Sequence, residues 1–173
     1  MNRQTMVAVA GCLFFPCLLG CGYSLEGTKT SLPQDVRTIA IPTMTNQTLE
    51  AGIENTFTKA LVREFNLDSR LPVVQEKRAD SILHGSIQNF TISSVSYDAS
   101  GLALEYRAEV SMGLTLQRSD TGEILWSVPS MEEVEEYRVV SNIQSNEARK
   151  QDAIEEIARE LAETIHDLIV DRF

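Results

Sequence analysis

The stretch LALEYRAEVSMGLTLQR, residues 102–118, decides the fold. Leu104, Tyr106, Ala108, Val110, Met112, Leu114 and Leu116 take every second position, with Glu105, Arg107, Glu109, Ser111, Thr115 and Gln117 between them. Side chains of a strand alternate between two faces, so this is a long strand with one face in a core and the other wet. Tyr106 and Val110 belong to the buried face.

The pattern repeats on both sides. Ser119 to Gly122 reads as a hairpin turn, after which Ile124, Trp126 and Val128 begin a return strand. Pro129 has no N–H for a ladder bond, which puts this strand at a sheet edge or at a bulge. Glu132, Glu133, Glu135 and Glu136 flank Val134 beyond it, ahead of Tyr137, Val139 and Val140. On the amino-terminal side, Asp98 to Gly101 turns the chain, and Ser81 to Tyr97 is strand-like. Its apolar parity changes from the pair Leu83, Ile87 to the pair Phe90, Ile92 and again to the pair Val95, Tyr97, which predicts bulges or strong curvature near Gly85 and Asn89.

Further out, the period changes from two to 3.6. Leu49, Ile53, Phe57, Ala60, Leu61 and Phe65 share one face of a predicted helix over 49–65, with Glu50, Glu54, Lys59 and Arg63 opposite. Asn46 or Thr48, in the polar loop 43–48, could cap its start. Residues 36–42, carrying Ile39 and Ile41, and residues 71–75 read as short strands, which with the helix make a parallel crossover. Asn146 to Val170 is a second helix with Ile154, Ile157, Leu161, Ile165, Leu168 and Ile169 as its buried stripe. The expected fold is therefore α+β: a two-layer sandwich with a mixed sheet of about four to five strands and two helices on one face.

The amino terminus carries a different message. Arg3 and the terminal amine are followed by an apolar run of about 14 residues from Met6 to Leu19, and then by Gly20 and Cys21. Such a run is too short for a stable span, so it reads as a secretion signal, residues 1–20. Small Gly20 opens the bond before Cys21 to a peptidase, and the Cys21 thiol can take a thioether-linked lipid, as in the bacterial lipobox this pattern resembles. Cleavage between Gly20 and Cys21 would allow N-acylation as well, and two or three chains anchor stably where one would not. Leu19 is bulkier than the residue usual there. Gly22 stands where an aspartate would retain many enteric lipoproteins at the inner membrane, which directs the chain to the periplasmic face of the outer membrane. Residues 21–35 read as the lipidated tether and 36–173 as one periplasmic domain.

Composition agrees. The whole chain has 15 basic and 25 acidic residues, net −10; loss of Arg3 with the signal makes it −11. That charge does not favour nucleic acid or a bare anionic membrane. Cys12 and Cys17 leave with the signal and Cys21 takes lipid, so no intrachain disulfide can form and the core must hold the fold.

Catalytic patterns are missing. Asp80 and His84 lie on one strand face but about 13 Å apart, too far for a relay or a shared metal, which leaves His84 structural. Glu163 and His166 match the Glu-x-x-His step of di-iron bundles without its second copy, and read as a solvated helix face. No nucleophile elbow, phosphate loop or paired cysteine motif occurs. Asn46-Gln47-Thr48 and Asn89-Phe90-Thr91 match the glycosylation sequon by chance. The glutamates of residues 132–136 read as a charged loop or edge. The sequence calls for no catalytic residue, no metal and no cofactor.

Several stretches together resemble one family. Cys21-Gly22-Tyr23-Ser24-Leu25, Ile39-Ala40-Ile41-Pro42 with Asn46 and Thr48, Glu54 with Thr58, Ala60 and Leu61, Ala79-Asp80 with Leu83 and Gly85, and Glu105-Tyr106 are similar to the lipopolysaccharide-assembly lipoprotein family LptE. The resemblance implies a two-layer α/β domain that plugs and helps assemble the LptD β-barrel, through which lipopolysaccharide reaches the cell surface, and that can bind the glycolipid. Phosphates of the glycolipid need basic partners. Arg107, Arg118 and Arg138 could form a local basic face, or pair with neighbouring glutamates. The plug role needs no glycolipid affinity and ranks above it. An outer-membrane lipoprotein that activates a peptidoglycan synthase is the alternative, but a tether of about 14 residues reaches at most roughly 50 Å. A periplasmic enzyme is the third reading.

Overall fold

The computed structural model describes residues 32–140 and 142–170; the signal, the Gly20–Cys21 site and most of the tether lie outside them. Among the described residues the chain runs β1 (Ile39–Ala40), β2 (Thr45–Asn46), α1 (Ile53–Leu67), a 3₁₀ turn (Glu76–Arg78), β3 (Ser81–Tyr97), β4 (Ala103–Arg118), β5 (Ile124–Arg138) and α2 (Ile143–Val170). The sheet order is β1-β3-β4-β5, and β2 also pairs with β3. Pairing of β1 and β2 with β3 is parallel, and the rest is antiparallel. This is the expected α+β architecture with a mixed five-stranded sheet and two helices.

Three-residue rows cross the long strands and alternate between faces. Leu83, Leu116 and Trp126 form one row on the helix side; Ile87, Met112 and Met131 form another, and Phe90, Val110 and Glu133 a third. Ala108, Val110, Met112, Leu114 and Leu116 are buried in the core with Phe57, Phe65, Ile154, Ile157, Leu161 and Ile165. Tyr106 lies on the same face but is only half-buried, and Leu104 is exposed. The register is as predicted. What differs is reach, because the strands run past the helical layer.

Several expected elements differ. Residues 71–75 form a single parallel bridge, Val73 to Ile39, in which Ile39 N–H donates to the Pro72 carbonyl at 3.2 Å and Val74 N–H to the Ile39 carbonyl at 2.9 Å. Pro72 has no N–H, so the ladder stops there. The helix expected from Leu49 begins at Ile53, after Gly52 at φ 87°, a left-handed turn suited to glycine. Leu49 is therefore fully exposed. Neither Asn46 nor Thr48 caps the helix, and β2 lies in the stretch read as loop. In β3 the bulge falls between Ile87 and Asn89, as expected, whereas Gly85 keeps register with Leu114. Gly85 instead makes room for Met44, whose Cε would lie 2.8 Å from an added Cβ.

β5 runs straight through Pro129 to Arg138 because it is the sheet edge and bulges there, Leu114 pairing with Val128 and Met112 with Met131. The glutamates of 132–136 are thus part of an edge strand. α2 starts three residues earlier than expected, where the Ser145 N–H bonds the Asn142 side chain at 3.0 Å. At the amino-terminal side, Leu32 packs against the core and Asp35 meets Arg118 at 2.5 Å, so residues 32–35 are bound to the domain.

Candidate functional surface

Two polar clusters tie the strands and helices together. Asn46 donates to the Glu50 carbonyl at 2.8 Å and to Glu54 Oε2 at 2.9 Å, and accepts from the Thr48 N–H and hydroxyl at 2.9 and 2.8 Å. The Thr58 hydroxyl donates to the Glu54 carbonyl at 2.6 Å and accepts from the Met44 N–H at 3.1 Å. Asp80 Oδ2 accepts from the Arg37 N–H at 3.0 Å and the Thr38 hydroxyl at 2.8 Å, while the Asp80 N–H donates to Thr38 Oγ1 at 2.9 Å. The Thr38 hydroxyl and Arg37 N–H hold the Asp80 carboxyl below its ordinary pKa. Asn46, Thr48, Glu54, Thr58 and Asp80, singled out in the sequence, are therefore joints of the fold.

The histidines do no joint chemistry. His84 is exposed on the helix-free face, in a row with Thr115 and Ser127, while Asp80 is engaged with Thr38. Glu163 is solvated and pairs with Arg159 at 2.6 Å. His166 departs from the expected solvated face: it is buried, edge-on to Phe65 with ring centroids 5.1 Å apart, and its Nε2 lies 3.2 Å from Asp68 Oδ2. Its place beside Ala162 and Ile169 turns it toward α1. No group of three or more His, Cys, Asp or Glu stands together as a metal site among the described residues.

The arginines do not form one basic face. Arg107 bonds Glu136 at 2.6 Å and Arg138 reaches Glu105 at 3.6 Å, side by side on the helix-free face. Arg118 lies at the opposite end of β4, with Asp35 at 2.5 Å and Glu123 at 3.5 Å. Eleven residues of strand, roughly 35 Å, separate it from Arg107. Each cation is paired with carboxylate, the second of the two arrangements the sequence allowed.

The wet face expected from the alternation of residues 105–117 is the helix-free face of the sheet. Its rows are His84, Thr115 and Ser127; Asn89, Ser111 and Glu132; Thr91, Glu109 and Val134; and Ser93, Arg107 and Glu136. It is hydroxyl-rich and interspersed with charge. The alternation marked the face, but the rows across it follow only from the strand order. Beyond the helices, the β3–β4 hairpin exposes Tyr97 (60%) and Leu102 (68%). Asp98 closes this turn, accepting from Ser100 and Leu102 N–H groups at 2.8 and 3.0 Å.

A family model described as lipopolysaccharide-assembly, LptE, matches residues 36–169. The chain belongs to the LptE family. No curated protein sequence gives a significant match. Among solved structures, a candidate lipoprotein of Caulobacter crescentus is 18% identical, with a TM-score of 0.54 over 77% of this chain and 85% of its own. The rare lipoprotein B of Shewanella oneidensis is 14% identical, with a TM-score of 0.51 over 78% of this chain and 94% of its own. Lipoprotein B of Nitrosomonas europaea is 15% identical, with a TM-score of 0.51 over 85% and 92%. At these identities the likeness is one of fold. No described helix is long and apolar enough to cross a membrane.

Proposed function

We propose that this LptE-family chain is a lipid-anchored plug and assembly partner of an LptD-type outer-membrane β-barrel, held at the periplasmic face through Cys21. The observation that carries this reading is the helix-free sheet face. An antiparallel sheet with one face in water is ordinary, but a hydroxyl-rich face with paired charges matches a large barrel's polar interior, where an apolar face would not. The two ends of the domain support it too. Asp35, near the start of the described chain, meets the β4–β5 end of the sheet through Arg118, and the β3–β4 hairpin lies at the opposite end. β3, at 17 residues, gives the domain a length of roughly 55 Å.

Direct glycolipid contact is a separate matter. Phosphates approaching Arg107 or Arg138 would compete with Glu136 and Glu105, so the plug role comes first and carrying second. Nothing in the plug role calls for catalysis. An activator of a cell-wall synthase would use the same fold but needs a longer reach than the tether provides.

The test is affinity purification of the lipidated chain from detergent-solubilised outer membranes, with mass spectrometry of what stays bound at high salt. A large β-barrel near one to one is expected. A cell-wall synthase in its place would overturn the plug reading. Cys21→Ala is expected to leave an unprocessed, unlipidated precursor; mature-sized protein from that variant would refute the anchor.

A further inference from the structure

The two margins of the sheet are built differently. β5 is an edge strand along its whole length, and it carries Pro129, a bulge at that position, and Glu132, Glu133, Glu135 and Glu136. Proline, bulges and charge are the devices that stop an edge from pairing with another chain. The other margin is formed by β1 and β2, which cover β3 only at Ser81–Ile82 and Ser86–Ile87. The Gln47 N–H bond to the Ile87 carbonyl, 2.9 Å, follows. Past it, no described strand pairs with that side of β3.

The uncovered segment is Asn89-Phe90-Thr91-Ile92-Ser93-Ser94. Its six residues keep unbroken register with Ser111 to Tyr106 of β4, and the next irregularity falls only after Ser94. It has no charge, proline or glycine, and it is rich in β-forming side chains. Such a segment of about six residues is the composition that pairs with another strand most readily. Of the devices found on β5, proline and charge are missing here, and bulges stand only at the two ends of the segment, at Ile87/Asn89 and Ser94/Ser96. The helix-side residues of the segment are also incompletely covered: Phe90 is half-buried and Ile92 is 39% exposed. A cleft of about 330 Å³ lies alongside, lined by Gln47, Thr48, Leu49, Gln88, Asn89 and Phe90, with Leu49 fully exposed at its rim.

We infer that the Asn89–Ser94 edge of β3 accepts an extended segment of the partner protein by strand addition. This deepens the barrel-partner reading and rests on it. A free row of peptide N–H and C=O groups, solvated while exposed, is a template that another extended backbone matches group for group, and the cleft receives side chains from alternate positions. The closed wall of a barrel has no unpaired strand to offer, so the segment comes from a loop or terminus of the partner. Its residues alternate: apolar side chains extend the Phe90–Ile92 row and fill the cleft beside Leu49, and small polar ones continue the row of Thr91 and Ser93. The charges nearby are already matched: Lys150 pairs with Glu50 at 2.9 Å, Asn46 donates to Glu54 at 2.9 Å, and Glu109 and Arg107 stand opposite Thr91 and Ser93. The inserted segment is therefore neutral.

Hydrogen exchange on the lipidated full chain, alone and in the complex purified with its barrel, tests this. Within Asn89–Ser94, the amides that point away from β4, about every second one, should exchange freely in the isolated chain and slow by about a hundredfold or more in the complex, while the outward-pointing amides of β5 around Glu132–Glu136 slow far less. Barrel recovered with no slowing at Asn89–Ser94 would overturn strand addition and leave the plug reading standing. Failure to recover any barrel would overturn the plug reading and remove the proposed occupant with it. Protection already present in the isolated chain, together with a dimeric mass, would mean that a second copy covers the edge, which also refutes the inference. As a second measurement, Ile92→Glu should reduce barrel recovery about tenfold and Leu67→Glu, at an exposed apolar position at the end of α1 and off the helix-free face, should not, with thermal melts checking that both fold. Equal recovery from the two variants would count against strand addition.

Discussion

At the residue scale, single side chains here act as joints. Asp80 ties the start of β3 to the chain leading into β1 through Thr38 and Arg37, at positions some 40 residues apart in sequence. Replacing it with asparagine weakens charge-assisted bonds and should cost about 1–2 kcal/mol at neutral pH, read by urea unfolding. The carboxyl's pKa is lowered in the fold, so its stabilisation is present above the ordinary value near 3.9 and is lost as pH falls through the lower folded value. The gap between wild type and Asp80→Asn should therefore narrow as pH falls below the ordinary carboxylate value near 3.9. Glu135 has the opposite sign. Burial raises its pKa first, followed by the charges of Glu160 and Glu156. Its ionised form costs stability above the folded pKa, and the cost fades as pH falls toward the unfolded value. Glu135→Gln should raise the unfolding free energy slightly at pH 7, by at most about 0.5 kcal/mol after solvent screening, and lose that advantage near pH 4, as read by urea unfolding. His166 shows what sequence hides at this scale. A polar residue outside the apolar stripe reads as solvated, but its burial was set by where α1 lies across α2, which no local spacing contains.

At the element scale, the long strands were legible because their period is strong and their length leaves little freedom. The register of β4 followed from the alternation alone, and the edge position of β5 from Pro129. Short elements were not legible. β2 has two residues, and the bridge at Val73 owes its brevity to one missing N–H at Pro72. Gly52 signals a turn by type, but Leu49 fits the helical spacing so well that the pattern ran one turn too far. The glycines in the sheet differ in the same physical way. A Cβ at Gly113 would stand 2.8 Å from the Pro129 carbonyl and 2.6 Å from Gln88 Nε2, which bonds that carbonyl at 2.9 Å. Backbone cannot yield cheaply at a bulge, so Gly113→Ala should cost about 1–3 kcal/mol. At Gly85 the obstacle is the flexible end of Met44. Gly85→Ala should cost about 1 kcal/mol or less, and equal losses in the two melts would show that the bulge is softer than drawn.

At the scale of the whole molecule, the described residues contain no cysteine, and their stability rests on one core. Ile165 is fully buried at the centre of the helical layer. Ile165→Ala should cost about 2–5 kcal/mol by denaturant titration, a large share of a typical net stability of about 5–15 kcal/mol. A loss under 1 kcal/mol would mean that α2 packs more loosely than this. The two-layer architecture could be read from the sequence, since two amphipathic helices and an alternating sheet must bury their apolar faces against each other. The candidate surface was only half legible. The polar side chains of β4 were visible, but the rows they build, and the contrast between a defended and an undefended sheet margin, exist only once strand order is known.

The position of α2 carries one more consequence, for biogenesis. It is the last described element to be synthesised, and Ala153, Ile154, Ile157, Ala158, Leu161, Ala162, Ile165 and Ile169 are the lid of the core. Until it arrives, the Ala108–Leu116 row and the inner stripe of α1 face water beside an uncharged strand segment. That species is sticky, and a growing chain in this state needs a holding chaperone. Docking of α2 closes the hazard in a single step.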